Sequence, residues 1–341
     1  MNYYKKFILN ICFFVNIKKQ FVLIIIDIFF LKFINKTINK LYLLILIYFF
    51  MKTLKFFMAI MVLAAIFSSC GKDPVPVVVE PEWKAEYAEA SATNGGILYD
   101  KFWAEESNFD QTNTNIPAFK AKGDFFRCKQ CHGWDGLGNQ GAYINRAPKA
   151  NRPRVTGFNI YQYAQANEPN VIFDMLNKTA GRRAMSYDLS TYDPATNFTE
   201  GDKMPDFSKI LTIHQIWDIV KFLKTGMMDV TKLYDATYTG AYPTGKAVFS
   251  NVGTDGDATA GLAYYNAGCK MCHGTDGTTI PDLDATPGMT AGKFVRKKSN
   301  EAQHKIHYGQ LGSIMAGKFA ITPTEMKNLY KALNDTVVFP N

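Results

Sequence analysis

Cysteine and histidine are scarce in this chain, whose 341 residues include six cysteines and five histidines. Four of the cysteines form two closely spaced pairs, and the other two are Cys12 and Cys70. So few thiols exclude the dense disulfide framework that holds small secreted domains together. The roughly 270 residues after Cys70 suit two domains by length.

Acidic residues are nearly absent from the first part of the chain. Residues 1–69 hold nine lysines and one aspartate, a net charge of +8 that equals the net charge of the whole chain. Residues 70–341 therefore carry 29 charges of each sign. The excess of positive charge thus lies in residues 1–69, which we call the leader. It therefore does not predict that the rest of the chain binds nucleic acid.

The leader has two parts. Residues 1–50 contain no glycine and no proline, and Asp27 and Lys32 interrupt their most apolar stretch. They therefore lack the run of about 20 apolar residues that a membrane-spanning helix needs. We interpret them as an unused upstream start or an extra membrane-associated leader. A basic segment, an apolar run and small residues follow in 51–69, which is the pattern of a secretory signal peptide.

Cys70 follows two serines and precedes a glycine, which resembles the lipobox of bacterial lipoproteins. The resemblance implies that Cys70 is lipidated and anchors the protein to a membrane, on the periplasmic or cell-surface side. A plain signal peptide with an incidental cysteine is the alternative. Residues 70–83 are rich in proline and predict an extended tether.

The cysteine pairs belong to a five-residue pattern that occurs twice, as Cys-Lys-Gln-Cys-His at 128–132 and Cys-Lys-Met-Cys-His at 269–273. In an exported protein this pattern predicts covalent attachment of a c-type haem. The two thiols lie about one helical turn apart and reach the haem's vinyl groups, and the histidine is the proximal iron ligand. A dithiol redox pair requires neither the histidine nor a second copy, and a zinc site needs four converging ligands where each copy offers three. We therefore predict two covalently bound haem c groups.

Helical patterns precede and follow each motif. Short helices are predicted at 118–127 and 259–267, and an amphipathic helix at 168–178. Two further helices begin with capping boxes at Thr212 and Thr322. The chain is thus predicted to be all-α, with a turn-rich boundary at 227–245.

The final helices also identify the second ligand of each iron. Met204 stands eight residues before Thr212, and Met315 stands seven residues before Thr322. A methionine opposite the histidine leaves the iron six-coordinate and raises its potential. Met204 and Met315 are therefore predicted as distal ligands, with Met185 and Met289 as alternatives.

Other methionines, histidines and basic residues have less specific interpretations. Met175 is assigned to core packing. For His304 and His307 we favour a helix with one packed and one exposed histidine over a ligand pair, and His214 is predicted to lie at the surface. Arginines and lysines cluster at 145–154 and 182–183. They could form a docking patch, bind haem propionates or lie in a solvated loop, and the sequence does not decide among these three interpretations.

The order of helix, haem motif, methionine loop and final helix, present twice, resembles class I cytochrome c. The resemblance implies two tandem domains, 84–233 and 234–341. Their site residues would be Cys128, Cys131, His132, Met204, Cys269, Cys272, His273 and Met315.

In that family the first and last helices cross at a contact between glycine and an aromatic residue. Gly261 with Tyr265 and Tyr330 would supply this contact in the second domain, and Phe126 or Tyr99 against Trp217 in the first. One departure concerns loop length, because His132 and Met204 are 72 residues apart and His273 and Met315 are 42 apart. The first domain therefore has an insertion of some 30 residues.

These features favour an electron carrier over an enzyme, with redox proteins of unknown identity as its donor and acceptor. One alternative is a dihaem oxidoreductase, peroxidase-like or sulfur-compound-oxidising; another is the cytochrome subunit of a larger dehydrogenase. A non-redox lipoprotein with vestigial motifs is the third hypothesis.

Overall fold

The computed structural model describes residues 51–53 and 81–341. The predictions for residues 1–50, for most of the signal peptide, for Cys70 and for nearly all of the tether fall outside these ranges. None of the described helices is long and apolar enough to cross a membrane. The first half contains α1 (Glu82–Glu89), α2 (Ala92–Lys101), α3 (Ile116–Ala121), α4 (Cys128–His132), α5 (Ile160–Ala166), α6 (Pro169–Leu176), α7 (Phe198–Gly201) and α8 (Ile213–Lys221).

The second half is shorter and repeats part of this order. It contains β1 (Asp235–Thr239), β2 (Lys246–Ser250), α9 (Ala258–Gly268), α10 (Lys270–His273), α11 (Ala291–Lys297), α12 (Ser299–Tyr308) and α13 (Pro323–Leu333). Single turns of 3-10 helix occur at Gly123–Phe125, Gly138–Gln140, Ala142–Asn145, Leu189–Thr191, Phe207–Lys209, Val230–Lys232 and Leu283–Ala285.

Helices α2 and α8 cross in the first half at a glycine. A methyl group added to Gly95 would lie 2.0 Å from the carbonyl oxygen of Asp218, so only glycine allows this approach. The Asp218 side chain accepts hydrogen bonds from the Ser91 amide (2.6 Å) and from Asn94 Nδ2 (2.7 Å). These bonds fix the start of α2 against α8. The predicted capping box at Thr212 is present, and the helix continues past Lys221 as a π-helical turn that ends at Gly226.

Helices α9 and α13 cross in the same way in the second half. A methyl group on Gly261 would lie 1.9 Å from the carbonyl oxygen of Asn328. The capping box at Thr322 is also present, with Pro323 at the first helical position. The predicted role of Gly261 is thus confirmed, and Gly95 is its counterpart in the first half.

The predicted aromatic partner of Trp217 is wrong. Tyr99 packs against Phe222, one turn further along, with ring centres 5.1 Å apart. Trp217 lies on another face of α8, where α1 covers it through Trp83, whose ring stacks at 6.4 Å. The sequence predicts a partly helical stretch at 84–107, but α1 begins at Glu82, inside the predicted tether, and its packing on Trp217 was not predicted.

A second insertion distinguishes the first half. Tyr99 precedes Cys128 by 29 residues, whereas Tyr265 precedes Cys269 by four. The intervening segment 102–127 has an aromatic core in which Phe102, Phe109 and Phe119 meet edge to face. The helix predicted at 118–127 is therefore part of an insertion, and α2 is the counterpart of α9.

A two-stranded antiparallel ribbon forms in the stretch predicted to be a turn-rich boundary, so the described part of the chain is helix-rich but not all-α. Ala236 pairs with Phe249 and Tyr238 with Ala247, and these alternate residues are half-buried. Alternation with period two produces such a strand pattern. The glycines and proline between the strands concealed it.

The buried apolar residues form two large clusters, one from each half. The first cluster draws on residues up to Met227 and the second on residues from Met228 onward, while Trp134, Ala142, Tyr143 and Val155 form a third, smaller cluster. Tyr308 and Leu311 of the second half are exceptions, because they join the first cluster. Helix α12 therefore packs against the first half as well as its own.

Candidate functional site

The first motif lines a cavity of about 290 Å³. Cys128, Cys131 and His132 lie on its wall, and Met204 lines the same cavity. The other walls are mostly apolar and include Phe125, Phe126, Phe158, Ile160, Ile172, Leu176, Phe207 and Ile219. The structure thus brings together all four residues that the sequence predicts for this site.

The chain holds the first motif in place through the residue after the histidine. Gly133 ends α4 with a φ of 78°, a conformation that side chains disfavour. The Tyr99 hydroxyl donates a hydrogen bond of 2.7 Å to the Gly133 carbonyl oxygen. Burial lowers the pKa of His132 to about 4, so its imidazole is neutral and has a lone pair for a metal. Burial likewise raises the pKa of Cys128 and of Cys131 to about 12.

The second motif lines a cavity of about 310 Å³ together with Met315. Cys269 and His273 lie on its wall, whereas Cys272 is exposed and is not among the lining residues. The apolar lining includes Leu283, Ala291, Phe294, Val295, Leu329 and Leu333.

The second motif is held as the first is. Gly274 ends α10 with a φ of 82°, and the Tyr265 hydroxyl donates a hydrogen bond of 2.7 Å to its carbonyl oxygen. Burial lowers the pKa of His273. The sequence analysis did not predict this hydrogen bond from a tyrosine hydroxyl in either half. Tyr99 and Tyr265 each stand four residues after a crossing glycine, and this shared spacing could have identified them as equivalent.

Both methionine loops are fixed through the backbone. The Met204 carbonyl oxygen accepts a hydrogen bond of 2.9 Å from the Arg183 amide, and the Met315 carbonyl oxygen accepts one of 3.0 Å from the Gln310 amide. Each methionine is half-buried. Both side chains line the cavity of their own motif, and the ligation itself stays a prediction.

One methionine was assigned wrongly. Met175, predicted to pack in the core, is exposed on α6 and lines the first cavity. Met185 and Met289, the predicted alternatives, line neither of the two motif cavities. Met185 is half-buried against the first apolar cluster, and Met289 is buried beside Leu283. Met175 is therefore the competitor of Met204 that the geometry provides.

The remaining histidines lie outside both cavities. His304 is buried and His214 is exposed, as predicted. His307 is half-buried rather than exposed, because its Nε2 lies 3.2 Å from the Phe319 carbonyl oxygen. Within residues 51–53 and 81–341, no group of three or more His, Cys, Asp or Glu side chains could hold a metal ion by itself.

The arginines of the 145–154 stretch have partners within the protein. Arg146 Nη2 donates a hydrogen bond of 2.6 Å to Gln130 Oε1, inside the first motif. Arg154 pairs with Asp202 at 3.5 Å. The solvated-loop interpretation is therefore wrong for the half-buried Arg146, whereas Arg154 is exposed and remains compatible with it. Docking and propionate binding stay predictions.

The two cavities fit a covalently attached haem. Each has a neutral imidazole, a thioether and apolar walls that suit a flat macrocycle, with two unpaired thiols on the wall of the first cavity and one on that of the second. Such a group supplies reversible one-electron chemistry when bound. The chain's own residues attach it, orient it and shield it from water.

Comparison with known proteins agrees with this fit. A family model described as cytochrome c matches residues 118–226 and 258–334, which together make up more than half of the chain. No curated protein and no solved structure matches the chain. Each matched region contains one Cys-x-x-Cys-His motif and the methionine loop that follows it. The chain therefore belongs to the cytochrome c family, whose domains transfer electrons through covalently bound haem c.

Proposed function

We propose that this chain is a dihaem electron carrier of the class I type, in which His132 with Met204 and His273 with Met315 ligate two irons. The observation that carries the proposal is that each cavity has a motif histidine and one methionine on the walls of the same apolar space. Two matches to one family support a count of two haems.

A histidine and a methionine suit electron transfer for a physical reason. Together they fill both axial positions, so the iron has no open site for a substrate, and the thioether favours the reduced state. The protein then has only to bind the group and set its potential. His304 and His307 are the residues that a special catalytic iron would need, and their positions outside both cavities support a carrier.

Visible spectroscopy and haem analysis of the purified exported protein test this function. We expect two c haems per chain, both low-spin, and no rapid binding of carbon monoxide by the reduced protein. A high-spin iron that binds carbon monoxide would contradict the proposal and favour the oxidoreductase, which peroxide or thiosulfate turnover would then identify. Absence of covalent haem would favour vestigial motifs.

We also propose that Cys70 carries a lipid that anchors the carrier to a membrane, on the periplasmic or cell-surface side, near redox proteins that donate and accept its electrons. The serine pair and glycine around Cys70 support this. Incorporation of a labelled fatty acid in cells tests it. Cys70→Ser should abolish labelling, whereas the control Cys12→Ser should leave it unchanged. Labelling that survives Cys70→Ser would contradict the anchor.

A further inference from the structure

Three charged side chains form a buried ion triad between the two halves. Asp100, which is 1% exposed, accepts a hydrogen bond of 2.9 Å from Lys305 Nζ at one carboxylate oxygen and one from Arg127 Nη2 at the other. Arg127 Nε also donates a hydrogen bond of 2.7 Å to the Asp100 carbonyl oxygen. Burial alone raises the pKa of Asp100, but Arg127 and Lys305 more than offset this and hold it far below its usual range.

The triad connects the two cavities. Arg127 lines the first cavity and Lys305 lines the second. Lys305 lies on α12, whose residues Glu301, Ala302 and Ile306 also line the second cavity. The opposite face of this helix meets the first half, where Gln303 Nε2 donates a hydrogen bond of 3.0 Å to the Trp134 carbonyl oxygen and the Tyr308 hydroxyl donates one of 2.9 Å to that of Gly226. One helix thus forms a wall of the second cavity and packs on the first half beside the first motif.

The cations around the triad exceed the anions. Lys129, inside the first motif, is buried like Lys305, and their Nζ atoms lie 4.4 and 4.5 Å from the centre of the Trp134 ring. With Arg127 they place three basic side chains around the Asp100 carboxylate and the half-buried Glu301 carboxylate, and burial lowers the pKa of Lys129 to about 7. Buried charge is costly unless it is paired. A further anion at this place would therefore be stabilised.

Donors for such an anion remain. Asp100 uses one of the three Nζ donors of Lys305, and Arg127 uses Nε and Nη2 but retains Nη1. Arg127 reaches the first cavity and Lys305 reaches the second, and a haem fits each of them. A haem carries carboxylate groups on its propionates, and charge-assisted hydrogen bonds from Arg and Lys to carboxylates are strong.

We propose that Arg127 binds a carboxylate of the first haem, that Lys305 binds a carboxylate of the second, and that Asp100 joins them into one site that couples the two reduction potentials. The inference rests on the proposed function. Its physical basis is that charges in a buried, weakly polarisable site interact over longer distances than charges in water. The loss of Lys305 would change the field at both irons.

Spectroelectrochemical titration of the purified dihaem protein tests the coupling. Lys305→Gln removes a positive charge that favours the added electron, so both midpoint potentials should fall, the second more than the first. Lys318→Gln is the matched control, because Lys318 lies beside Cys269 at the second site and carries the same charge. It should lower only the second potential. Asp100→Asn, which removes a negative charge, should raise both.

The outcomes separate the inference from the function. If the Lys305→Gln protein has two intact haems but the midpoint potential of only one or of neither is shifted, the coupling is overturned. The carrier function then still stands. A wild-type protein without two c haems would overturn both. Because Asp100→Asn leaves two buried cations without their partner, thermal unfolding of each variant should accompany the titration. Opposite shifts from Lys305→Gln and Asp100→Asn in folded protein support the shared site.

Discussion

The two haem motifs have nearly the same residues in opposite surroundings. Gln130, the third residue of the first motif, is 2% exposed, whereas Met271, the third residue of the second, is 97% exposed. Lys129 is buried and its counterpart Lys270 is exposed. The first motif is thus part of the protein interior, whereas the middle residues of the second, on α10, are exposed at the surface.

The difference is due to the two insertions of the first half. Asp124 of the 102–127 segment accepts a hydrogen bond from Gln130 Nε2, and Arg146 of the longer methionine loop donates one to Gln130 Oε1. The second half has neither insertion. Tyr265 precedes Cys269 by only four residues, and His273 and Met315 are only 42 residues apart. A motif that specifies a cofactor does not specify how far that cofactor is covered.

The largest effects should come from the distal methionines. Met204→Ala should leave the first iron five-coordinate or water-bound and lower its potential, and Met315→Ala should do so for the second, because the thioether stabilises the reduced iron. All four cysteines remain, so both haems stay attached. The near-infrared band of ferric iron bonded to methionine should fall by about half in each variant. Met175→Ala is the control, and a band lost there instead would move the first ligand to Met175.

The two crossing glycines should be equally intolerant, although their motifs differ. Gly95→Ala and Gly261→Ala each place a methyl group within about 2 Å of a backbone carbonyl oxygen in the partner helix. We expect each to lower the free energy of unfolding by about 3 kcal/mol, as overpacking does. Urea titration of the haem-loaded protein measures this. Gly181→Ala, where nothing lies within 4 Å but φ is 75°, separates crowding from backbone strain.

Acid should destabilise the first half through a residue of the second. His304 lies on α12 but is 1% exposed between Trp134 and Tyr308, and burial lowers its pKa to about 3. The unfolded chain binds this proton near pH 6.5, so stability present above that pH is lost as the pH falls toward 3.

The expected loss between pH 6.5 and pH 5 is about 2 kcal/mol. His304→Phe should reduce the slope of unfolding free energy against pH, whereas the exposed control His214→Gln should keep it. Equal slopes in all three proteins would show that other groups cause the acid sensitivity.

The smallest effects test the contrast between the motifs directly. Gln130→Ala removes the partner of Asp124 and Arg146 in a buried place and should cost about 1.5 kcal/mol of unfolding free energy. Met271→Ala changes an exposed side chain and should cost less than about 0.5 kcal/mol. Thermal unfolding compares the two. A Met271→Ala variant as unstable as Gln130→Ala would mean that the second motif is covered in solution.

The sequence predicts what depends on local pattern. The haem motifs, the capping boxes at Thr212 and Thr322 and the crossing glycine of the second half all follow from short spacings. What depends on contacts between distant segments was missed: the insertion before Cys128, the packing of α1 on Trp217, and the ribbon at 235–250. The Asp100 triad joins residues up to 205 positions apart, and no spacing rule anticipates such a contact.

Helix α12 also has a consequence for the order in which the molecule is made. The chain is synthesised with its N-terminus first, so the first motif is available long before Tyr308, which follows His132 by 176 residues. Until α12 arrives, Trp134 and Tyr99 lack the covering that His304 and Tyr308 provide. The surface of α2 and Trp134 beside the first motif therefore stays uncovered until the last third of the chain folds over it, and completion of the second half closes this side of the first.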